Sequence, residues 1–222
     1  MMKKLAALAS IGLLVSAAAA HADTIGTTAT YTFTNGGGFA ATPGNYGTVT
    51  LTETGVNQVT VTETLAAGEF FVLTGAGNAL SFNLVGDPSL ATVNAAISGL
   101  TTNYSLVQQS PDSASPFGNF DFAIICGKPP CANGSSGGLN ADDHSLTFVL
   151  TGFDVSSFAA LSTGGDPNAY FAADINVAGA TGNVGATDPG TPNVPTPEPS
   201  SLIMLGTGIV GAAGMLRRRL MA

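Results

Sequence analysis

Two runs of strictly alternating residues constrain the fold of this chain more than any other feature. The runs cover residues 48–54 and 58–64, and the break between them is Gly55-Val56-Asn57. Side chains in an extended strand alternate between two faces, so the threonines share one face and the apolar residues the other. The apolar face consists of Val49, Leu51, Val59 and Val61. Because Gly and Asn suit tight turns, the pattern predicts a β-hairpin with one buried face.

Similar short segments recur about every ten residues along the chain, separated by turn-forming residues. They predict further strands at residues 29–34, 69–74, 79–85, 103–109, 119–126, 145–151 and 169–177. Helix is expected over residues 155–161, where Asp154 supplies a cap, and residues 89–97 favour helix and strand equally. The fold class indicated is all-β: an antiparallel two-sheet sandwich, immunoglobulin-like or jelly-roll in topology.

Residues 1–22 have the pattern of a secretory signal peptide. Lys3 and Lys4 give a positive start, an apolar core covers residues 5–15, and Ala20-His21-Ala22 has the small-x-small form of a cleavage site. We therefore expect the secretion machinery to export the chain and signal peptidase to cut it between Ala22 and Asp23.

The C-terminal tail has three segments with separate physical roles. Residues 188–200 form a Pro-rich linker with extended backbone. Residues 201–216 are apolar, and as a helix they would cover about 24 Å, close to the roughly 30 Å hydrocarbon core. Residues 217–222 begin with Arg217, Arg218 and Arg219, which place this end in the cytoplasm by the positive-inside rule. The tail is thus predicted to hold one transmembrane helix.

The order of Pro197-Glu198-Pro199, apolar helix and Arg217 to Arg219 resembles the PEP-CTERM sorting signal of exported proteins in Gram-negative bacteria. The resemblance covers only the tail. It implies an inner-membrane-anchored precursor, recognition by the membrane protease exosortase and cleavage near Pro197 to Pro199. It also implies release or attachment at the cell surface, often in cells that make exopolysaccharide.

The region between the two ends, residues 23–187, is one predicted domain and is strongly acidic. Residues 23–196 contain thirteen carboxylates, the last of them Asp188, and Lys128 is their one basic residue, so the formal charge of residues 23–196 is −12. Such a charge repels nucleic acid, so we expect no nucleic-acid partner.

The two cysteines, Cys126 and Cys131, flank a Gly-Lys-Pro-Pro turn. In an exported protein this spacing favours one local disulfide. The alternative is a metal site built from both cysteines, His144 and Asp142 or Asp143, but the spacing matches no common zinc pattern. We expect no metal and no cofactor.

For three other candidate sites, the sequence favours an ordinary structural role over a functional one. His144 is the base that a secreted hydrolase would need, but no nucleophile motif accompanies it. Calcium would require several aspartates to converge, and a sugar site would require the tyrosines to line one surface. The aspartates are Asp142, Asp143, Asp166 and Asp174, and the tyrosines are Tyr31, Tyr46, Tyr104 and Tyr170.

Taken together, these features predict a non-enzymatic, exported cell-surface or matrix protein with no catalytic residues. Two alternatives stay open: a carbohydrate-binding module or adhesin, and a secreted hydrolase. The threonines of residues 48–64 invite an ice-binding or carbohydrate-binding hypothesis, although an ice-binding surface needs a flat array of many strands, and the sequence shows two.

Overall fold

A computed structural model describes residues 25–37, 44–72, 78–126 and 144–193. Within these ranges the chain is largely strand, with one short helix, α1 (Leu90–Ala96), and a 3₁₀ turn at Val155–Phe158. The strands are β1 (Thr28–Thr32), β2 (Asn35–Gly37), β3 (Gly47–Gly55), β4 (Gln58–Leu65), β5 (Phe70–Phe71), β6 (Asn78–Phe82), β7 (Ile97–Ser98), β8 (Tyr104–Ser113), β9 (Asn119–Cys126), β10 (Ser145–Thr151), β11 (Phe171–Val177), β12 (Ala180–Ala186) and β13 (Thr191–Asn193).

The strands form two antiparallel sheets. A six-stranded sheet has the order β13-β1-β3-β4-β10-β7, and a seven-stranded sheet has the order β2-β12-β11-β6-β9-β8 with β5 paired to β11. The predicted all-β, two-sheet antiparallel architecture is therefore confirmed. Its assignment as immunoglobulin-like or jelly-roll stays a prediction.

The predicted hairpin is β3 and β4, joined at Val56 and Asn57. Asn57 has a φ of 49°, in the left-handed region that Asn tolerates better than most residues. All four predicted core residues are fully buried: Val49, Leu51, Val59 and Val61. The alternation of residue types therefore dictates both the pairing of these strands and the face that enters the core.

Aromatic rings from both sheets meet at the centre of the sandwich. The ring of Phe82 in β6 lies 5.7 Å from that of Phe122 in β9, and 5.9 Å from that of Phe148 in β10 of the opposite sheet. Phe158 of the 3₁₀ turn lies 5.7 Å from Phe82 and 5.9 Å from Phe171. These contacts bury large apolar area between the sheets and hold them together.

The helix predicted at residues 155–161 is a shorter 3₁₀ turn, and residues 89–97, for which helix and strand were equally favoured, contain α1. The Ser89 hydroxyl accepts a hydrogen bond from the Thr92 backbone and caps α1, so residues 89–97 divide into a helix and β7. Asp154 caps the 3₁₀ turn as predicted, in a reciprocal capping box with Ser157. Burial opposes ionisation of Asp154, but hydrogen bonds from Ser156 and Ser157 outweigh it and lower the pKa.

Four strands were not predicted: β2, β7, β12 and β13. β12 contains Gly182, Asn183 and Gly185, residues with little strand preference, and is held by pairing to β11 and β2. β13 lies inside the predicted linker 188–200, so three of the linker residues belong to the six-stranded sheet.

Both ends of the described domain leave the sandwich at the same end. Asn193 of β13 stands opposite Thr28 of β1, and the Gly26 N–H donates to the Glu53 carbonyl at 2.8 Å. We call the end that carries the Val56–Asn57 turn and the 3₁₀ turn the terminal end. The far end carries residues 66–69 and His144.

Within the described ranges, no helix is long and apolar enough to cross a membrane. The predicted transmembrane segment, residues 201–216, lies outside those ranges.

Candidate functional site

The predicted processing residues lie beyond both ends of the described domain. Ala20, Ala22 and Asp23 precede its first residue, Ile25. Pro197, Glu198, Pro199 and Arg217, Arg218 and Arg219 follow its last residue, Asn193. Since Asn193 is the last residue of β13, the sorting segment follows directly from an edge strand of the six-stranded sheet.

His144 makes contacts that fix the start of β10. Its Nδ1 lies 2.6 Å from the Glu69 carbonyl oxygen, its ring centroid lies 4.5 Å from that of Phe70, and its carbonyl accepts from Leu65 N at 2.8 Å. Among the described residues, these contacts include no serine hydroxyl and no aspartate. They join the two sheets at the far end and give no support to the hydrolase alternative.

Glu63 is a buried acid that the sequence analysis did not single out. Its side chain is 0 % exposed, and neither carboxylate oxygen has a hydrogen-bond partner among the described residues. Val49 and Leu146 stand beside it on the neighbouring strands, both fully buried. Desolvation therefore raises the pKa of Glu63 well above its usual range, so burial favours the protonated carboxyl.

Glu53 and Glu69 lie at opposite ends of the sandwich. Glu53 is buried near the terminal end, where its Oε1 accepts a hydrogen bond from Val155 N at 2.6 Å. At the far end, burial raises the pKa of Glu69 to about 7. The alternating pattern of the hairpin contained a signal for two of these acids, because Glu53 and Glu63 occupy the positions that also carry valines and leucines.

No group of three His, Cys, Asp or Glu side chains is placed to hold a metal ion in the part of the chain that the structure describes. Asp166 is exposed in a loop, whereas Asp174 is buried on β11. Asp142, Asp143 and Cys131 lie outside the described residues, so the predicted disulfide and the alternative sites that use them stay untested.

The four tyrosines do not form a sugar-stacking surface. Tyr31, Tyr46 and Tyr104 are buried in the core, and their exposed fractions are 8 % or less. Tyr170 is half-buried, and its ring lies 5.5 Å from that of Tyr31. A carbohydrate site built on these rings would lack the exposed aromatic faces that sugar rings stack on.

The outer face of the six-stranded sheet presents a regular hydroxyl array, which we call the threonine face. Thr30, Thr50, Thr62 and Thr147 stand in register across β1, β3, β4 and β10. All side chains of this face are half-buried or exposed, and none carries a charge. Its members are Thr28, Thr30, Thr32, Thr48, Thr50, Thr52, Thr54, Gln58, Thr60, Thr62, Thr64, Ser145, Thr147, Val149 and Thr151.

Some hydroxyls of the threonine face already hydrogen-bond to one another. The Oγ1 atoms of Thr54 and Thr60 are 3.0 Å apart, and Thr147 donates to Thr62 at 3.5 Å. Because a hydroxyl has one donor and two acceptor positions, each pair retains capacity for an external polar ligand.

Residues 195–219 match the family described as PEP-CTERM protein-sorting motif. The match covers the tail and leaves the β domain outside it. No curated protein and no solved structure matches the chain. The motif indicates an exported protein that exosortase, a membrane protease, processes from a membrane-anchored precursor.

Proposed function

We propose that this chain, which carries the PEP-CTERM protein-sorting motif, is a non-enzymatic protein of the cell surface or extracellular matrix. The observation that carries the proposal is the motif at residues 195–219, placed directly after the last strand of the domain. In this proposal the β domain is the part that reaches the cell surface or matrix, and the tail is the signal that directs its sorting.

Each part of the tail has its own role in this proposal. Residues 201–216 hold the precursor in the inner membrane, and Arg217, Arg218 and Arg219 keep its C-terminus in the cytoplasm. Pro197, Glu198 and Pro199 are on the outer side in this proposal, and their proline content favours extended backbone, which a protease active site can accept. Cleavage there separates the domain from its anchor.

The Glu198→Ala variant tests the proposal. Export and membrane insertion should be unchanged, because the signal peptide and apolar helix are intact. Processing should fail, and full-length protein should accumulate in the membrane, as intact mass and cell fractionation would show. Thr196→Ala is the matched control, since it changes the same linker outside the Pro-Glu-Pro tripeptide. Normal processing of the Glu198 variant would mean that the tail is only an anchor.

A carbohydrate-binding module is the second candidate function, and the threonine face is the observation that favours it. The face is uncharged, although residues 23–196 have a formal charge of −12, so a neutral polysaccharide can contact its hydroxyls without desolvating a charged side chain. Neighbouring strands of a sheet twist by roughly 20 to 25°. The twisted surface of four strands therefore fits a flexible glycan chain better than it fits the flat plane of an ice crystal.

Paired substitutions on the threonine face test this second function. Thr50→Val with Thr62→Val removes two central hydroxyls and keeps the β-branched shape that strands favour. Binding to neutral glycans on an array should fall in this variant. Thr181→Val on β12 of the other sheet is the control. Equal binding by the double variant would exclude the threonine face as the glycan site.

A further inference from the structure

The terminal end of the sandwich is tied closely to the predicted membrane helix. Residues 194–200, seven in number, separate Asn193 from the apolar segment that begins at residue 201. A fully extended chain covers at most about 3.3–3.6 Å per residue, so this connection spans no more than roughly 25 Å. The connection is also proline-rich, which limits its freedom to fold back or reorient.

The same end carries large apolar side chains that the fold leaves in solvent. Val56 at the tip of the hairpin is 74 % exposed, and Ile25 is 59 % exposed. Ile25 lies beside this hairpin, because the next residue, Gly26, donates its N–H to Glu53. Two exposed apolar residues therefore lie at the terminal end: Ile25, where the described domain begins, and Val56, in the hairpin turn.

A third exposed apolar residue is joined to this end through the 3₁₀ turn. Val85 is 57 % exposed, and its N–H donates to the Ser157 carbonyl at 2.8 Å. The first residue of the same turn, Val155, donates to the Glu53 carboxylate at the end of β3. Leu161, 42 % exposed, completes the exposed large hydrophobics in the described part of the chain, and its carbonyl accepts from the side chain of Asn83.

The charges at this end favour contact with zwitterionic lipid over contact with anionic lipid. Asp87 is exposed two residues after Val85, and Asp154 precedes the 3₁₀ turn. The described domain also carries no lysine or arginine to attract phosphate groups. A surface rich in anionic lipid would therefore repel the terminal end, whereas a zwitterionic surface would not.

We propose that the terminal end docks on the zwitterionic outer surface of the membrane while the precursor is anchored, with Ile25, Val56 and Val85 in the headgroup region. This inference rests on the membrane-anchored precursor of the proposed function. Docking holds β13 at the membrane surface and places Pro197 to Pro199 within reach of a membrane protease. The far end and His144 then point away from the lipid.

The absence of tryptophan from the whole sequence makes this docking directly measurable. The full-length Val56→Trp variant is reconstituted into phosphatidylcholine vesicles, with or without bromine on the acyl chains. Its emission should move to shorter wavelength on reconstitution, and brominated lipid should quench it. Ala67→Trp provides the control, because Ala67 is exposed at the far end. Its emission should show neither change.

Val85→Trp is a second reporter. It distinguishes lipid contact of the terminal end from a change that tryptophan itself causes in the hairpin turn at position 56. Quenching at both 56 and 85, but not at 67, supports docking. Vesicle-bound protein in which positions 56 and 85 are quenched no more than 67 overturns docking and leaves the anchor intact. Failure of the unmodified chain to float with vesicles overturns both docking and the anchored precursor.

Discussion

The Glu53 carboxylate accepts a hydrogen bond from the backbone N–H of Val155 at 2.6 Å, which joins the end of β3 to the 3₁₀ turn 102 positions later. Removing this buried carboxylate leaves the N–H of the half-buried Val155 without its acceptor. We expect Glu53→Ala to lower the free energy of unfolding by about 1–3 kcal/mol. Denaturant titration of the purified variant measures this loss, and Glu53→Gln, which keeps an acceptor oxygen, should lose less. Equal stability of the Ala variant and wild type would contradict the role.

Glu63 should make the domain less stable as the pH rises. Its carboxyl keeps its proton in the folded state at pH values where the unfolded chain has lost it, so the folded state binds more protons. The free energy of unfolding should then fall by about 1.4 kcal/mol per pH unit above the usual glutamate pKa, until the raised pKa is reached. Denaturation of wild type and Glu63→Gln across pH 4 to 9 measures this slope.

Glu63→Gln should remove that part of the slope because its amide does not titrate. Glu69→Gln is the comparison: the pKa of Glu69 is raised to about 7, so its contribution to the slope should end near that pH. A Glu63→Gln variant with the wild-type pH dependence would show that the carboxyl is not desolvated in the folded protein.

Val61→Asp and Phe148→Asp should each prevent folding. Both side chains are 0 % exposed, and an unpaired carboxylate at either position would lie in an apolar core. Circular dichroism should show strand structure in wild type, with helix below about one-fifth of residues, against roughly one-third in typical globular proteins, and loss of the strand signal in both variants. Thr62→Asp changes the neighbouring position on the outer face and should still fold.

Cys126 and Cys131 should be paired in exported protein. β9 ends at Cys126, and the intervening residues contain two prolines that favour a turn. A loop of six residues is worth about 2 kcal/mol in the chain-entropy model, so reduction should leave the domain folded. Thiol labelling under non-reducing conditions, read by intact mass, should modify neither cysteine. Labelling of both would show that the bridge is absent.

The hairpin was predictable because residues 48–64 combine strict alternation with a turn signal, and both act locally. β12 was not predictable in this way, since Gly182, Asn183 and Gly185 disfavour strand and are held in one by their partners on either side. β13 was hidden by Pro192, which suggests a linker although an edge strand accepts it.

The candidate sites also differ in whether the local sequence is enough to predict them. The sorting motif can be recognised from residue order alone, because its prolines, apolar segment and arginines follow one another along the chain. Ile25, Val56 and Val85 are distant from one another in sequence and lie towards the same end only after both sheets have formed. The four-strand threonine face likewise needs the pairing of β1 and β10 with the hairpin, which no local pattern specifies.

β13 also bears on aggregation outside the cell. It forms one edge of the six-stranded sheet, is only three residues long and contains Pro192, which has no N–H to offer to another chain. A cut near Pro197 to Pro199 leaves this strand on the mature domain. A cut before Thr191 would instead expose the longer edge of β1, an open template for strand addition from neighbouring copies. The position of the sorting motif thus lets the anchor be removed without exposing an aggregation-prone edge.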